Sequence, residues 1–116
     1  MTQSPRRRAV RGSTTGRPLM AALDLLGRRW ALRILWELRD GPLGARELRT
    51  RCDAMSPSVL YQRLAELSEA GLVAKNGDGR YQLTPIGQSL GAAIEPLSNW
   101  SRQWAGQTES QSRAER

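Results

Sequence analysis

Ser56-Pro57-Ser58-Val59-Leu60-Tyr61-Gln62-Arg63-Leu64-Ala65-Glu66-Leu67 is followed, from Gly71, by Leu72-Val73-Ala74-Lys75-Asn76-Gly77-Asp78-Gly79-Arg80-Tyr81-Gln82-Leu83-Thr84-Pro85. Serine is a good N-cap and proline a good first helical residue, so Ser56-Pro57 opens a helix. Leu60, Leu64 and Leu67 give it one apolar face, and Gly71 offers a left-handed stop after Ala70. Asn76-Gly77-Asp78-Gly79 between Leu72–Lys75 and Arg80–Leu83 then predicts a tight hairpin. Thr84-Pro85 repeats the cap-plus-proline device and starts another helix.

Working backwards from Ser56, a short helix over about Ala45–Arg51 has Leu48 as its inward anchor. Asp40-Gly41-Pro42 closes a helix running from about Trp30 to Arg39, with Trp30, Ile34 and Leu38 spaced by four. Leu19, Leu23 and Leu26 mark a first helix, with Pro18 in its first turn and Gly27 as its stop. Working forwards, Ile86, Leu90, Ala93, Ile94, Leu97, Trp100 and Trp104 give the last helix a long apolar face, which Pro96 is expected to kink or break. The order is four helices, a hairpin and a helix. The fold class is therefore mainly α with a small β-hairpin, a winged helix-turn-helix, in which one short helix props the next against the major groove.

Residues 18–104 form the expected folded domain. Residues 1–17, rich in Arg, Ser, Thr, Gly and Pro, are expected to be a disordered basic arm, and 105–116 a disordered tail. The chain has 116 residues, enough for one domain, and a net charge of +7. Five of those charges come from Arg6, Arg7, Arg8, Arg11 and Arg17, with no acid among residues 1–17. Residues 18–104 carry eleven bases and nine acids, so the core is only +2. A basic arm attracts any polyanion and says little about the core.

Composition also excludes function classes. No apolar run approaches a transmembrane span, and the basic N-terminus lacks the apolar stretch of a secretory signal. One Cys and no His leave no disulfide framework and little from which to build a zinc or haem site, which fits a cytoplasmic protein without cofactor. No acid–base machinery is evident, so an enzyme is not expected. Gly87-Gln88-Ser89-Leu90-Gly91 matches the nucleophile-elbow pattern but falls inside a predicted helix, with no His to act as base. Gly87 and Gly91 are better read as letting another helix approach closely. Asn99-Trp100-Ser101 matches a glycosylation sequon in a chain that nothing secretes.

The sequence resembles the HxlR-type winged helix transcriptional regulators of bacteria. The resemblance rests on Ala22-Leu23-Asp24-Leu25-Leu26-Gly27-Arg28-Arg29-Trp30, on Ile34-Leu35-Trp36-Glu37-Leu38 and on Asp40-Gly41-Pro42-Leu43. It continues through Glu47-Leu48, Ser56–Leu60, Gln62–Leu67, Gly71-Leu72-Val73 and Tyr81–Gly87, and so spans nearly all of 18–104. It implies a homodimer built from the first and last helices, binding double-stranded DNA at a near-palindromic site. Many members carry Cys-Pro before the first helix and sense oxidants there; this chain has Arg17-Pro18, so thiol sensing at that position is out. The wing tip, Asn76–Gly79, is shorter than is usual for the family, which implies smaller wing contacts.

At 100° per residue, Leu60, Leu64 and Leu67 of the fourth helix fall within about 60° of one another, while Ser58, Gln62 and Ala65 point the opposite way. Ser58, Tyr61 and Gln62 are the candidate base contacts, Gln62 because its amide pairs bidentately with adenine. The alternative is a merely solvated polar face. Candidate phosphate contacts are Arg46, Arg49 and Arg51 on the supporting helix, Ser56 and Arg63 on the reading helix, and Lys75 and Arg80 beside the hairpin tip. Solvated or edge-protecting charges are the plainer reading of each.

Leu19, Leu23, Leu90, Ile94, Leu97, Trp100 and Trp104 are the candidate dimer interface, because two more indoles exceed what so small a core can hold. The alternative is that they fold back over their own domain. Trp30 and Trp36 are read as core. Cys52 is placed as a small buried side chain, with redox chemistry the minor alternative. A small-molecule effector, unnamed by any residue, would sit near Leu19, Leu97 and Trp100. The rival function is a protein–protein module whose non-specific DNA affinity comes from the arm alone.

Overall fold

The computed structural model describes residues 17–114. The expected disordered arm lies outside the described residues, apart from Arg17. Helix α1 (Pro18–Leu26) leads to α2 (Ala31–Glu37), which tightens into a 3-10 turn over Leu38–Asp40. Helices α3 (Ala45–Arg51) and α4 (Pro57–Glu69) follow, then an antiparallel hairpin of β1 (Val73–Lys75) and β2 (Tyr81–Leu83), then α5 (Pro85–Ala114). This is the winged helix-turn-helix plan read from the sequence.

Local chemistry sets these boundaries. Ser56 caps α4, its Oγ accepting from the Val59 amide. Thr84 Oγ1 accepts from the Gly87 amide at 3.1 Å and donates to the Gly71 carbonyl, so one hydroxyl caps α5 and ties it to the end of α4. In the hairpin, Asn76 Oδ1 accepts from the amides of Asp78 (2.9 Å) and Arg80 (3.0 Å), an Asx turn with Gly79 at φ 77°. Leu43 and Tyr81 exchange two backbone hydrogen bonds, which fasten the wing to the start of α3.

The core is one cluster. Ile34, Leu35 and Leu38 meet Leu48, Cys52 and Met55, and all pack on Leu60, Leu64 and Leu67 of α4, with Val73 and Leu83 closing the wing side. Gly87 abuts the Leu72 backbone: a Cβ there would lie 2.1 Å from the Leu72 carbonyl oxygen. The close neighbour is thus the entry to the hairpin, not another helix. Gly91 has nothing within 4 Å of its Cβ position, so it needs no such explanation.

Two expectations about α5 are corrected. Pro96 does not break α5, which runs through it as one helix. Proline has no N–H to offer the Ala92 carbonyl four residues back, and Ala92 is exposed rather than buried, where a lost bond costs least. The chain also continues helically from 105 to Ala114 where an unstructured tail was expected. Extending a formed helix adds one hydrogen bond per residue fixed, and Gly106 is the least favourable residue in that segment.

Trp30 and Trp36 are half-buried, not central. Trp30 packs on the edge of the core, and the Arg39 guanidinium lies 3.7 Å from the Trp36 ring centroid.

Candidate nucleic-acid interface

Helix α4 divides cleanly. Leu60, Leu64 and Leu67 are fully buried, while Ser58, Tyr61, Gln62 and Ala65 are exposed, Tyr61 by 53%. A polar strip therefore stands on a helix whose opposite face is locked into the core. Ser58 Oγ lies 2.9 Å from Ser56 Oγ, so the cap hydroxyl and the first candidate base contact are hydrogen-bonded to each other.

The helix-turn-helix turn is held by arginines. Asp53 and Ala54 both adopt left-handed backbone, φ 58° and 57°. Arg33, reaching across from α2, donates to the Arg51 carbonyl and to Asp53 Oδ2 (3.3 Å), and its Nε donates to Glu37 (2.9 Å). The Glu37 hydrogen bond, and beyond it the Asp53 carboxylate, push the Arg33 pKa further up against the cost of burial, so this cation is permanent. Arg49 Nε donates to the Met55 carbonyl at 2.8 Å, at the other end of the turn.

The cations expected at phosphate therefore fall into two groups. Arg46, Lys75 and Arg80 are exposed; Lys75 Nζ sits 5.4 Å from the Tyr81 ring centroid. Arg51 is exposed and loosely paired with Glu47 at 3.4 Å. Arg49 and Arg63 are engaged internally. Arg63 Nε donates to the Arg29 carbonyl at 2.8 Å, and its NH1 group contacts both Glu66 oxygens. Ser56 is committed to its cap.

Outside α4, apolar side chains face solvent. Leu19 (64% exposed) and Leu23 (54%) project from α1, and Leu97, Trp100 and Trp104 from α5. The two indoles stack, with centroids 5.8 Å apart and 7° between planes. Leu90 and Ile94, grouped with them in the sequence, are half-buried, and Leu90 packs on the core.

Ile86, read from the sequence as part of the apolar face of the last helix but not placed in the candidate dimer interface, is exposed by 62% and lines a groove of about 340 Å³ with Leu25, Leu26 and Leu90. A second groove, about 410 Å³, runs between α2 and α5 and is lined by Leu32, Trp36, Ile94 and Leu97; neither Leu19 nor Trp100 lines it. Arg28, Arg33 and Glu66 were also passed over, because partners 20 to 38 residues apart leave no local pattern.

Cys52 is fully buried at the end of α3. Burial pushes its thiol pKa up; Arg33 opposes the shift, while Glu37 and Asp53 add to it. This is the environment of an inert core thiol. Among the described residues no group of three His, Cys, Asp or Glu side chains suits a metal, and no helix is long and apolar enough to cross a membrane.

Comparison with known proteins places this geometry. The family described as HxlR-like helix-turn-helix matches residues 25–109. The HTH-type transcriptional regulator YodB of Bacillus subtilis is 29% identical over 99 residues, covering 80% of this chain and 88% of YodB. The HTH-type regulator YvaP of the same organism, itself uncharacterized, is 29% identical over 89 residues, covering 72% of this chain and 82% of its own. The crystal structure of quinone-bound YodB superposes with a TM-score of 0.68 at 31% identity, covering 74% of this chain and 96% of that one.

Proposed function

Since the chain belongs to the HxlR-like helix-turn-helix family and is a transcriptional regulator of helix-turn-helix type, we propose that it acts as a homodimer that reads a near-palindromic promoter site. Each protomer lays α4 in one major groove, with half-sites about 10 bp apart or a multiple of it. The observation that carries this reading is the exposed strip Ser58–Tyr61–Gln62 on a helix held rigidly from behind by three buried leucines. Gln62 offers a donor and an acceptor to a base edge, and Tyr61 offers a hydroxyl or a ring face. Arg46 and Arg51 on α3, with Lys75 and Arg80 on the wing, fix register on phosphates without reading sequence.

The second copy covers the outer apolar face. Leu19 and Leu23 of α1 with Leu97, Trp100 and Trp104 of α5 form a surface of the kind that marks an interface, rich in aromatics and poor in charge. Acting on DNA in this way, the protein works in the cytoplasm.

Gln62→Ala tests the reading. Binding to DNA selected by the wild-type protein should fall by about 5- to 150-fold, since a bidentate base contact supplies roughly 1–3 kcal/mol of discrimination. Binding to scrambled DNA should persist and weaken with salt. Unchanged binding to the selected DNA would contradict the placement of α4.

A further inference from the structure

Three side chains and one carbonyl join the end of α1 to the middle of α4. The turn between α1 and α2, Gly27 to Trp30, delivers the Arg28 side chain and the Arg29 carbonyl to the flank of α4. Arg28 pairs with Glu66 at 3.2 Å, Glu66 pairs with Arg63 at 3.2 Å, and Arg63 Nε donates to the Arg29 carbonyl at 2.8 Å. The cluster is partly shielded: the side chains of Arg63 and Glu66 are 17% and 25% exposed. The turn itself is an unusual one, because Trp30 holds left-handed backbone at φ 78°, a costly conformation for a bulky residue. It persists because its carbonyls are used. Arg28 accepts from the Ala31 amide, Trp30 from the Ile34 amide, and Arg29 from Arg63 of α4.

We propose that Arg63 is a positioning residue and not a phosphate contact: with Glu66 it clasps the strained Arg28–Trp30 turn and thereby sets the angle of the reading helix relative to α1. The consequence is mechanical. Helix α1 carries Leu19 and Leu23 toward the second copy, and α4 carries Ser58, Tyr61 and Gln62 toward DNA. The clasp is a polar tie between the turn that ends α1 and the middle of α4, and through it the separation of two reading helices in a dimer is set. Guanidinium suits the task because its planar fork serves the carbonyl and the carboxylate at once, which an ammonium cannot do with the same geometry. The inference rests on the reading of α4 as the DNA-facing helix.

The charge change at Glu66 separates positioning from electrostatics. Wild type, Arg63→Gln, Arg63→Lys and Glu66→Gln, all as full chains, would be titrated over a range of salt. The probes are a duplex selected by the wild type from genomic fragments and a scrambled duplex of equal length. Each variant's melting temperature would be measured alongside.

As a positioning clasp, Arg63→Gln and Glu66→Gln both weaken selected-duplex binding about tenfold or more. Neither changes the slope of log affinity against log salt, and Arg63→Lys recovers only part of the loss. On the scrambled duplex Glu66→Gln binds as well as wild type or better, having lost a negative charge. Should Arg63→Gln unfold, the isosteric and partly exposed Glu66→Gln carries the test alone.

The inference is overturned if Glu66→Gln tightens binding to the selected duplex, or if Arg63→Gln lowers the salt slope by about one, the signature of a lost phosphate contact. A wild-type protein with no sequence preference overturns the reading of α4 and the clasp with it. A selective wild type with a tightened Glu66→Gln overturns the clasp alone.

Discussion

The inner part of the molecule, α2 through the hairpin, and the outer pair of helices, α1 and α5, treat the same kinds of side chain in opposite ways. In α4 every leucine is buried and, Tyr61 apart, every residue on the far face is polar or small. In α1 no residue is buried, and two leucines are more than half exposed. Helix α5 buries its glycine at position 87 against the hairpin entry and then exposes Leu97, Trp100 and Trp104. The inner region closes its apolar account within one chain. The outer region does not, and a small domain rarely leaves such a surface in water without a partner. One region is therefore finished by folding, and for the other the proposed second copy supplies the cover.

That contrast breaks if substitutions in the two regions behave alike. Leu64→Ala, in the closed region, removes a side chain that is 2% exposed. It should cost about 2–5 kcal/mol of unfolding free energy, read by urea denaturation at fixed protein concentration. Gly87→Ala probes the seam between the regions. Its Cβ would press on a backbone carbonyl, which cannot swing away as a side-chain tip can. The expected loss is about 1–3 kcal/mol, read as a lowered melting temperature, with α4 and its DNA face left intact.

In the open region, Trp100→Ala with Trp104→Ala should leave protomer packing nearly unchanged. The same pair should raise the dimer dissociation constant about tenfold or more, since buried interface aromatics commonly carry above 1 kcal/mol each. Sedimentation across a dilution series reads that constant. Equal loss of protomer stability would mean that the indoles fold onto their own chain.

The smallest effect sharpens the closed side. Cys52 has its thiol pKa raised by burial above the ordinary 9.0. Below that value the unfolded and folded thiols are both protonated, and the stabilising contribution of Cys52 burial is fully present. As the pH climbs past 9.0 the unfolded state releases its proton first, so stability falls until the pH passes the higher folded pKa. Cys52→Ala should flatten this alkaline decline in a plot of stability against pH. A decline of the same slope in the variant would assign it to other groups.

Much of this was legible in the residues. Helix α4, the hairpin and the caps at Ser56 and Thr84 came from strictly local signals: a hydroxyl before proline, leucines at helical spacing, Asn-Gly and Asp-Gly. The missed features are nonlocal. Arg63 was read as phosphate-directed because its own helix shows only that it flanks the core. Its acceptor, the Arg29 carbonyl, lies 34 residues away on a turn whose left-handed Trp30 no pattern announces. The internal hydrogen bond of Arg49 was unseen for a related reason, since its partner is a backbone carbonyl across the turn. The helix beyond residue 104 was missed because a polar segment with no apolar periodicity reads as coil, although nothing in it forbids continuation of a helix already begun.

The central claim is that a dimer reads DNA through α4. The most direct measurement selects sheared genomic DNA with the full chain, beside Gln62→Ala, and weighs the protein–DNA complex. The account predicts two protomers on a sequence with two-fold symmetry, half-sites separated by about one helical turn or a multiple of it, and loss of that enrichment in Gln62→Ala. Binding without sequence preference, or a symmetric site enriched equally well by Gln62→Ala, would contradict it.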